Sequence, residues 1–481
     1  MSPIFIFSVF IAYTALLFFI TWLTARKANT QSFYIGNKAS PWYVVAYGMI
    51  GASLSGVTFM SVPGWVGSTQ FSYMMVVFGY LAGYIVISTV LLPLYYKLNL
   101  TSIYTYLDQR FGFWSYKTGA FFFLLSRVIG ASFRMFLVVN VLQIFIFDAW
   151  GIPFGWSVGI FIFLIILYTF KGGIKTIIWT DTLQTTFMLA AVVISIVVIS
   201  KGLHLSFSGL IQTVSDSDYS KVLVTDWHDK RHFLKQFLSG AFITITMTGL
   251  DQEMMQKNLS CRNLKDAQKN MLTFSFVLIF INLMFLFLGA VLFMYSNAKG
   301  IEIPVRSDDL FPIISLKYLG AFSGLIFMIG LISAAYPSAD GALTALTTSF
   351  TIDFLGLDKR KNISERKRTR IRYGVHIAFA LILLTVIVIF RAINDRAVID
   401  KLFTIAGYTY GPLLGLYAFG LFSKKQVKDK YVPWIAIASP IICYFLSEYS
   451  EQLFQGYKFG FELLILNGVI TYIGLSLVTR K

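Results

Sequence analysis

Long apolar stretches, separated by short polar segments, run through the whole chain. A stretch of about 20 apolar residues is long enough for a helix to cross the hydrocarbon core of a bilayer. The pattern predicts thirteen spans, with approximate limits at 3–24, 42–62, 72–95, 119–146, 155–170, 178–200, 236–256, 271–295, 320–352, 372–390, 399–422, 432–447 and 460–478. The chain is therefore expected to be an all-α integral membrane protein.

The composition agrees with this expectation. Of the 481 residues, 57% are hydrophobic and 13% are charged, whereas about a quarter of the residues in a soluble domain are charged. The first apolar run, from Pro3 to Leu23, lacks preceding basic residues and a following small-residue cleavage site, so it is interpreted as a span rather than a removable signal. The longest hydrophilic stretch, about 201–235, is expected to be a loop, which makes enzyme chemistry outside the membrane unexpected. Cys261 and Cys443 have no metal-ligand spacing and imply neither a disulfide framework nor a zinc site.

The formal net charge is +17, and the positions of the basic residues along the chain are informative. If the N-terminus lies outside, Lys and Arg concentrate in the connections and tail predicted to lie inside, including the segment from Lys257 to Lys269 and the block KRKNISERKRTRIR. Because basic residues accumulate on the cytoplasmic side, we expect an outside N-terminus and a cytoplasmic C-terminus. The basic block is then a loop facing anionic lipid, not a nucleic-acid site.

Polar residues interrupt several predicted spans, beginning with GASLSGVTFMSVPG, Gly51 to Gly64. Glycine and proline lower helix propensity, and a helix break would free backbone carbonyls that can coordinate a cation. The alternative is close helix packing, because small residues let membrane helices approach one another. This stretch alone favours packing.

A second polar cluster follows Phe242. Thr244, Thr246 and Thr248 recur at every second position, so an unwound segment would let several hydroxyls face one cavity. Asp251, Gln252 and Glu253 come next, near the predicted cytoplasmic end of the span. For Glu253 a solvated helix end is the preferred interpretation.

A third cluster is AAYPSADGALTALTTSF, Ala334 to Phe350. Pro337 removes a helix hydrogen bond and so frees a carbonyl near Ser338. Asp340 is a carboxylate inside the span, and intramembrane carboxylates are commonly functional. The oxygen-rich segment suits a hard cation such as Na⁺, while the alternative is a packing helix whose Asp pairs with a basic group.

Further buried charges are predicted in two spans. Asp181 and Gln184 share a helix face, and Asp181 is suited to bind a cation, accept a proton, or pair with Arg127 or Arg134. These two arginines lie seven residues apart on one face of the fourth span. Each is suited to pair with an acid, satisfy carbonyls, or hold an anionic substrate through its bidentate guanidinium.

Taken together, four stretches closely resemble hallmarks of the sodium:solute symporter family: IWTDTLQ, GLDQEMMQKNLSCRNLKDAQK, SAAYPSADGALTAL and YGPLLGLYAFGLFSKK. The resemblance implies a single transmembrane domain, 1–481, with a LeuT-type fold. Its two five-helix inverted repeats would be 42–200 and 236–422, each with a broken first helix. The extra helices would be 3–24 before the repeats and two within 432–478 after them.

The resemblance also implies a sodium site between the first broken helix and the eighth core helix. Carbonyls of Gly51 and Leu54 would face the carbonyl of Ala334, together with Pro337 and Ser338. Many relatives have two adjacent hydroxyl residues at the last two positions, so one side-chain ligand is missing here. Sodium is the expected coupling ion, with no other metal implied.

A second cation position is implied near Asp181 and Asp340. The opening stretch also resembles the S-x-x-T-F-M-S-x-P pattern of sialic acid carriers, in which the Ser and Thr, here Ser55 and Thr58, face the substrate carboxylate. Arg134 or Arg127 would assist, and Thr246 and Thr248 are further substrate-binding candidates.

The resulting hypothesis is sodium-coupled symport of a small polar or anionic solute across the cytoplasmic membrane, with no catalytic residues. A sugar, sialic acid or another organic acid, an amino acid and a vitamin all remain possible solutes. The alternatives are a membrane sensor or receptor and a channel-like protein of the same fold. The expected partners are the solute, Na⁺ and the lipid bilayer but no nucleic acid, and a monomer is the working assumption.

Overall fold

The computed structural model describes residues 2–24, 38, 40–360, 363–393 and 397–480, without the side chains of residues 23–24 and 168–176. This part of the chain is helical and contains no β-strand, only two isolated bridges, Ser40 to Cys261 and Val427 to Thr479. The all-α fold expected from the apolar pattern is confirmed.

The longer helices are numbered in chain order. They are α1 (Pro3–Thr24), α2 (Trp42–Ser53), α3 (Gly56–Thr69), α4 (Tyr73–Val86), α5 (Phe113–Leu142), α6 (Phe154–Gly202), α7 (Phe233–Thr244), α8 (Gln252–Leu259), α9 (Leu264–Lys299), α10 (Gly320–Ser349), α11 (Glu365–Ile393), α12 (Val398–Phe422), α13 (Val432–Glu448) and α14 (Leu463–Leu477).

Shorter elements extend or connect these helices. The π-helical turns are Ile87–Leu91, Gln143–Phe147, Ile245–Gly249, Ile314–Tyr318 and Phe350–Phe354. The short α-helices are Leu92–Lys97, Thr105–Arg110, Phe207–Ser215, Leu310–Ile313 and Ser450–Leu453. The 3₁₀ turns are Asp148–Trp150, Asp218–Ser220, Ser307–Asp309 and Asp429–Tyr431.

Among the described residues, eight helices are long and apolar enough to cross a membrane, or nine if the bent pair α2 and α3 is one span. Because water cannot satisfy backbone groups inside a bilayer, such helices are the expected spanning elements. The chain is thus a multi-pass membrane protein, while the count of thirteen spans stays a prediction.

One pair of predicted spans differs from the structure. The segments 155–170 and 178–200 were expected to be separate, but both lie within the single 49-residue helix α6. At 1.5 Å per residue α6 is about 74 Å long, more than twice the thickness of the hydrocarbon core. The connection between the two predicted spans contains no proline, so its sequence does not force the helix to end there.

The break predicted in GASLSGVTFMSVPG is confirmed. Helices α2 and α3 meet at Leu54 and Ser55 with a bend of 55°. Ser and Gly on either side are weak helix formers, and all residues at the break are buried. A second break separates the π turn after α7 from α8, where Asp251 adopts an extended backbone.

Glycines bring α4 and α7 into close contact. A Cβ atom on Gly240 would lie 2.0 Å from the carbonyl oxygen of Val76, and one on Gly79 would lie 2.1 Å from that of Phe237. Two helix backbones can approach this closely only where one residue at the contact is a glycine, which has no side chain. The contact holds α7, and with it the second break, against α4, the helix that comes after the broken pair α2 and α3.

Candidate functional site

A cavity of about 80 Å³ lies between the two broken helices. It is bounded by the first break, α4, α5, α7, α9 and the start of α12. Its polar and aromatic lining consists of Ser53, Ser55, Thr58, Tyr73, Tyr80, Tyr84, Arg134, Thr244, Thr248, Asn282 and Phe403. The cavity combines one cationic side chain with several hydroxyl groups, which suits a small polar anion.

Arg134 is the one cationic side chain in this lining, and it is buried, with 8% of its surface exposed. Its Nε and Nη1 atoms have no hydrogen-bond partner among the described residues, and it forms no ion pair with any of them. A buried charge without a partner is costly. The side chain is therefore suited to receive an anion from the cavity.

The start of α3 faces the same cavity. Ser55 is the residue before the first turn of α3, its side chain makes no capping hydrogen bond, and Thr58 lies in that turn. A helix N-terminus carries unpaired N–H groups and a partial positive charge that favour anions. Both predicted Ser55 and Thr58 are thus brought together with Arg134.

The threonines near the second break divide between two environments. Thr248 lines the cavity as predicted, and so does Thr244, one helical turn earlier. The hydroxyl of Thr246 instead donates to the carbonyl oxygens of Phe242 and Ile243, at 2.9 and 3.0 Å. The cavity contact thus belongs to Thr244 and Thr248, since a near-helical turn places every fourth residue on one face.

Arg127 has a different environment from Arg134. Its Nη2 atom is in contact with a carboxylate oxygen of Glu253, and Nη1 lies 3.7 Å from Asp251 Oδ2. All three side chains are at most 3% exposed. These ion pairs favour a structural role for Arg127, which links α5 to the second break.

The expectation of a solvated Glu253 is wrong, because its side chain is only 1% exposed. Asp251 is also buried, and its Oδ1 accepts hydrogen bonds from the backbone N–H groups of Glu253 and Met254. The prediction of solvent exposure was based on the position of Glu253 near the predicted end of a span. In the structure α8 is packed inside the protein, and Asp251 is its N-cap.

Tyrosines satisfy the backbone groups freed at the second break, and no motif in the sequence pointed to them. Tyr95 and Tyr104 donate to the carbonyl oxygens of Gly249 and Leu250, each at 2.8 Å. Tyr410 donates to Asp251 Oδ2 at 2.9 Å. The carbonyls of Gly249 and Leu250 at this break are therefore already engaged by tyrosine hydroxyls.

The predicted sodium ligands lie on helices α2, α6 and α10, which contact one another. A Cβ atom on Gly51 would lie 2.3 Å from Thr185 Oγ1 and 3.4 Å from the carbonyl oxygen of Asp181. Leu54 ends α2, as its C-cap. On α10, Ala334, Pro337, Ser338 and Asp340 are all fully buried in an unbroken helix.

Ser338 Oγ is buried and has no hydrogen-bond partner among the described residues. A hydroxyl without a partner in the interior is unfavourable, so this oxygen is available as a ligand. Pro337, immediately before it, contributes no hydroxyl. This pair of positions therefore offers one side-chain oxygen, where many relatives have two adjacent hydroxyl residues.

Asp181 pairs with neither arginine. Its Oδ2 atom lies 2.7 Å from Nζ of Lys257, and the two side chains are 0% and 1% exposed. The placement of Lys257 in a cytoplasmic connection is therefore wrong. Asp181 and Lys257 are 76 positions apart, and neither periodicity nor composition indicates which buried groups at such separation will meet.

A second, larger cavity of about 750 Å³ lies beyond the first. Four aromatic rings separate the two: Trp65, Tyr73, Phe403 and Phe461 have neighbouring ring centroids 5.1–6.4 Å apart. Tyr73 faces the inner cavity, Trp65 and Phe461 face the outer one, and Phe403 lines both. These rings, called here the aromatic barrier, close the inner cavity from the outer one.

The fold and this site define a membrane carrier with a broken-helix core. The sodium:solute symporter family model matches residues 33–429, and the chain belongs to that family. Because this is a family of sodium-coupled symporters, Na⁺ is the coupling ion and the protein is a transporter rather than an enzyme.

Similarity to individual proteins extends over most of the chain. The sodium/sialic acid symporter NanT of Aliivibrio fischeri is 21% identical, covering 93% of this chain and 88% of its own. The human sodium-coupled monocarboxylate transporter 1 is 24% identical, covering 82% and 65%. A structure of a Na⁺-coupled sialic acid symporter, in a substrate-bound outward-open state, superposes with a TM-score of 0.85 at 19% identity over 99% of this chain and 98% of that one. The fold is thus the LeuT-type fold of these carriers.

Proposed function

We propose that this symporter carries a small organic anion with a carboxylate group, together with Na⁺. The observation that carries the proposal is Arg134, a buried guanidinium without an ion-pair partner among the described residues, facing a cavity. A carboxylate is the complementary ligand, because its two oxygens match the planar guanidinium in a bidentate pair.

The start of α3 supports the same class of solute. Ser55 and Thr58 line the same cavity as Arg134 and supply hydroxyl donors. NanT and the human monocarboxylate transporter, both similar to this chain, are carriers of carboxylate solutes by name. Thr248 and the neighbouring Thr244 are suited to contact the rest of the solute.

The proposed sodium site consists of the carbonyls of Gly51 and Leu54, the carbonyl of Ala334 and the hydroxyl of Ser338. It lies one helix turn from Ser55, so sodium and solute share the break between α2 and α3. Binding of one ligand would then favour the break geometry that the other needs. Such coupling is reciprocal, since each ligand raises the affinity for the other by the same factor.

We further propose the arrangement of the chain in the membrane. The inverted repeats are 42–200 and 236–422, the N-terminus is outside and the C-terminus is cytoplasmic. The basic connections predicted inside support this orientation. The carrier is proposed to act as a monomer in the cytoplasmic membrane, because the cavity is formed within one chain.

The size of the inner cavity implies that solute entry requires a conformational change, as alternating access would provide. At about 80 Å³ it is well below the range of about 300–1,000 Å³ typical of ligand pockets, so a solute must enter by expansion of this region. The aromatic barrier is the layer that must separate to connect it with the outer cavity. These rings are held by packing and by one hydrogen bond, between the hydroxyls of Tyr73 and Tyr80 at 2.9 Å, and not by ion pairs among the described residues, so they are suited to such a movement.

Transport into proteoliposomes tests the proposal. Purified carrier is reconstituted, and uptake of radiolabelled N-acetylneuraminate, pyruvate and, as a neutral control, glucose is measured with an inward Na⁺ gradient or with choline in its place. We expect saturable, Na⁺-dependent uptake of a carboxylate solute and none of glucose. Uptake that is indifferent to Na⁺ would contradict symport, and non-saturating flux would indicate a channel.

A further inference from the structure

Lys257 brings a cation into the protein interior next to the predicted sodium ligands. Its Nζ lies 2.7 Å from Asp181 Oδ2 and 3.6 Å from Glu253 Oε1. The side chain is 1% exposed. The ammonium group therefore lies between two buried carboxylates, on helices α6 and α8.

Two positions on α10 supply no side-chain ligand for a free cation. On α10, Pro337 has no hydroxyl and Gly341 has no side chain. Glu253 occupies the space over that glycine, because a Cβ atom on Gly341 would lie 2.3 Å from Glu253 Oε1. The missing side chain thus permits the carboxylate of Glu253 to lie against α10, next to Lys257 one turn later on α8.

We propose that the ammonium group of Lys257 is a built-in cation that takes the place of a second sodium ion at Asp181, so that this carrier binds a single Na⁺. The inference rests on the proposed sodium-coupled function. It assigns Na⁺ to the break between α2 and α3 and assigns Asp181 to Lys257.

Competition at this position favours the lysine. Sodium binding to Asp181 would have to displace a cation that is covalently attached and already hydrogen-bonded. The displaced ammonium would remain buried without its main partner, which is strongly unfavourable. Arg127 cannot relieve this, because it is engaged by Glu253 and Asp251.

Equilibrium binding of ²²Na⁺ to the purified full-length carrier tests the inference without needing the solute. We expect one Na⁺ per wild-type chain. In Lys257→Met the two carboxylates lose their ammonium, and we expect a second Na⁺ to bind. The matched control Lys257→Arg keeps the charge and should bind one. Size-exclusion elution and the melting temperature report whether each variant is folded.

Two Na⁺ per wild-type chain, with one lost in Asp181→Asn, would overturn the inference and leave symport intact. A folded Lys257→Met that still binds one would also overturn it. If Lys257→Met fails to fold, Lys257→Met/Glu253→Gln removes one charge of each sign and takes its place, again with two Na⁺ expected. Absence of any Na⁺ binding would instead contradict the proposed function.

Discussion

Arg127 and Arg134 lie two turns apart on α5, but their electrostatic environments are opposite. Arg127 forms ion pairs with Glu253 and Asp251, whereas Arg134 faces the inner cavity with unpaired donors among the described residues. Two arginines on one helix face thus have different roles: Arg127 holds the second break in place, and Arg134 is placed to receive a ligand. The two positions can be separated by experiment.

Replacement of Arg134 is expected to weaken solute binding without unfolding the carrier. A charge-assisted pair contributes about 1.5–3 kcal/mol, so Arg134→Met should raise the KM for the carboxylate solute by about 10- to 150-fold. Arg134→Lys keeps the charge but lacks the bidentate geometry, so its KM should lie between those of the wild type and Arg134→Met. Uptake kinetics in proteoliposomes measure the effect, and ²²Na⁺ binding should be retained. An unchanged KM in Arg134→Met would exclude this residue from the solute site.

Replacement of Arg127 is expected to affect stability first. Arg127→Met leaves Glu253 and Asp251 buried with less compensation, and breaking a buried pair from one side costs about 3–5 kcal/mol. Thermal unfolding of the purified protein should show a clear drop in melting temperature. The double variant Arg127→Met/Glu253→Gln should recover part of it, because one of the two stranded charges is gone. Equal melting temperatures for wild type and Arg127→Met would argue against this role.

The sequence predicted part of the site through local chemistry and part through the family resemblance. The buried arginines follow from charges inside an apolar run. The break at Leu54 and Ser55 was implied by the family resemblance, because its weak helix formers taken alone favoured close packing. The partner of Asp181 was not predictable, because Lys257 is distant in sequence and lies near a predicted loop. Glu253 was misassigned for the same reason. Helix packing decides which charges meet in the interior, and the periodicity along one helix carries no information about that packing.

Pro337 offers a test of the sodium site by addition rather than removal. Pro337→Ser restores the second hydroxyl next to Ser338. One additional ligand worth about 1 kcal/mol should lower the Na⁺ concentration for half-maximal uptake by about fivefold. Pro337→Ala is the matched control, because it restores the backbone N–H without a hydroxyl. If serine and alanine have the same effect, the change comes from the backbone and the ligand assignment fails.

The contact between α4 and α7 predicts a steric effect. Gly240→Val should destabilise the fold strongly, because its Cβ would lie 2.0 Å from a carbonyl oxygen of α4. Gly155→Val is the control, since nothing lies within 4 Å of a Cβ at that position. The yield of monodisperse protein and its melting temperature provide the measurement. Similar values for the two variants would show that the helices separate without cost.

Asp308 predicts how stability depends on pH. It lies in the turn Ser307–Asp309 between two spans, is 3% exposed, and accepts a hydrogen bond of 3.0 Å from the backbone N–H of Val398, at the start of α12. Burial raises the pKa of this carboxyl from 3.8 to about 6, against the lowering effects of the Val398 N–H, Ser61 and Arg306. The folded protein therefore holds this proton more tightly than the unfolded chain does.

The stabilisation from that proton is complete below pH 3.8 and is lost as the pH rises through about 6, because the folded state must then charge a buried group. The difference corresponds to about 3 kcal/mol. Asp308→Asn keeps the hydrogen-bond acceptor and cannot ionise, so the melting temperature of wild type minus that of the variant should decrease between pH 4 and pH 7. Other groups titrate in both proteins and cancel in this difference. A difference that stays constant over the range, or increases with pH, would mean that Asp308 ionises in the folded protein without a burial cost, through stronger support from the start of α12 than its surroundings indicate.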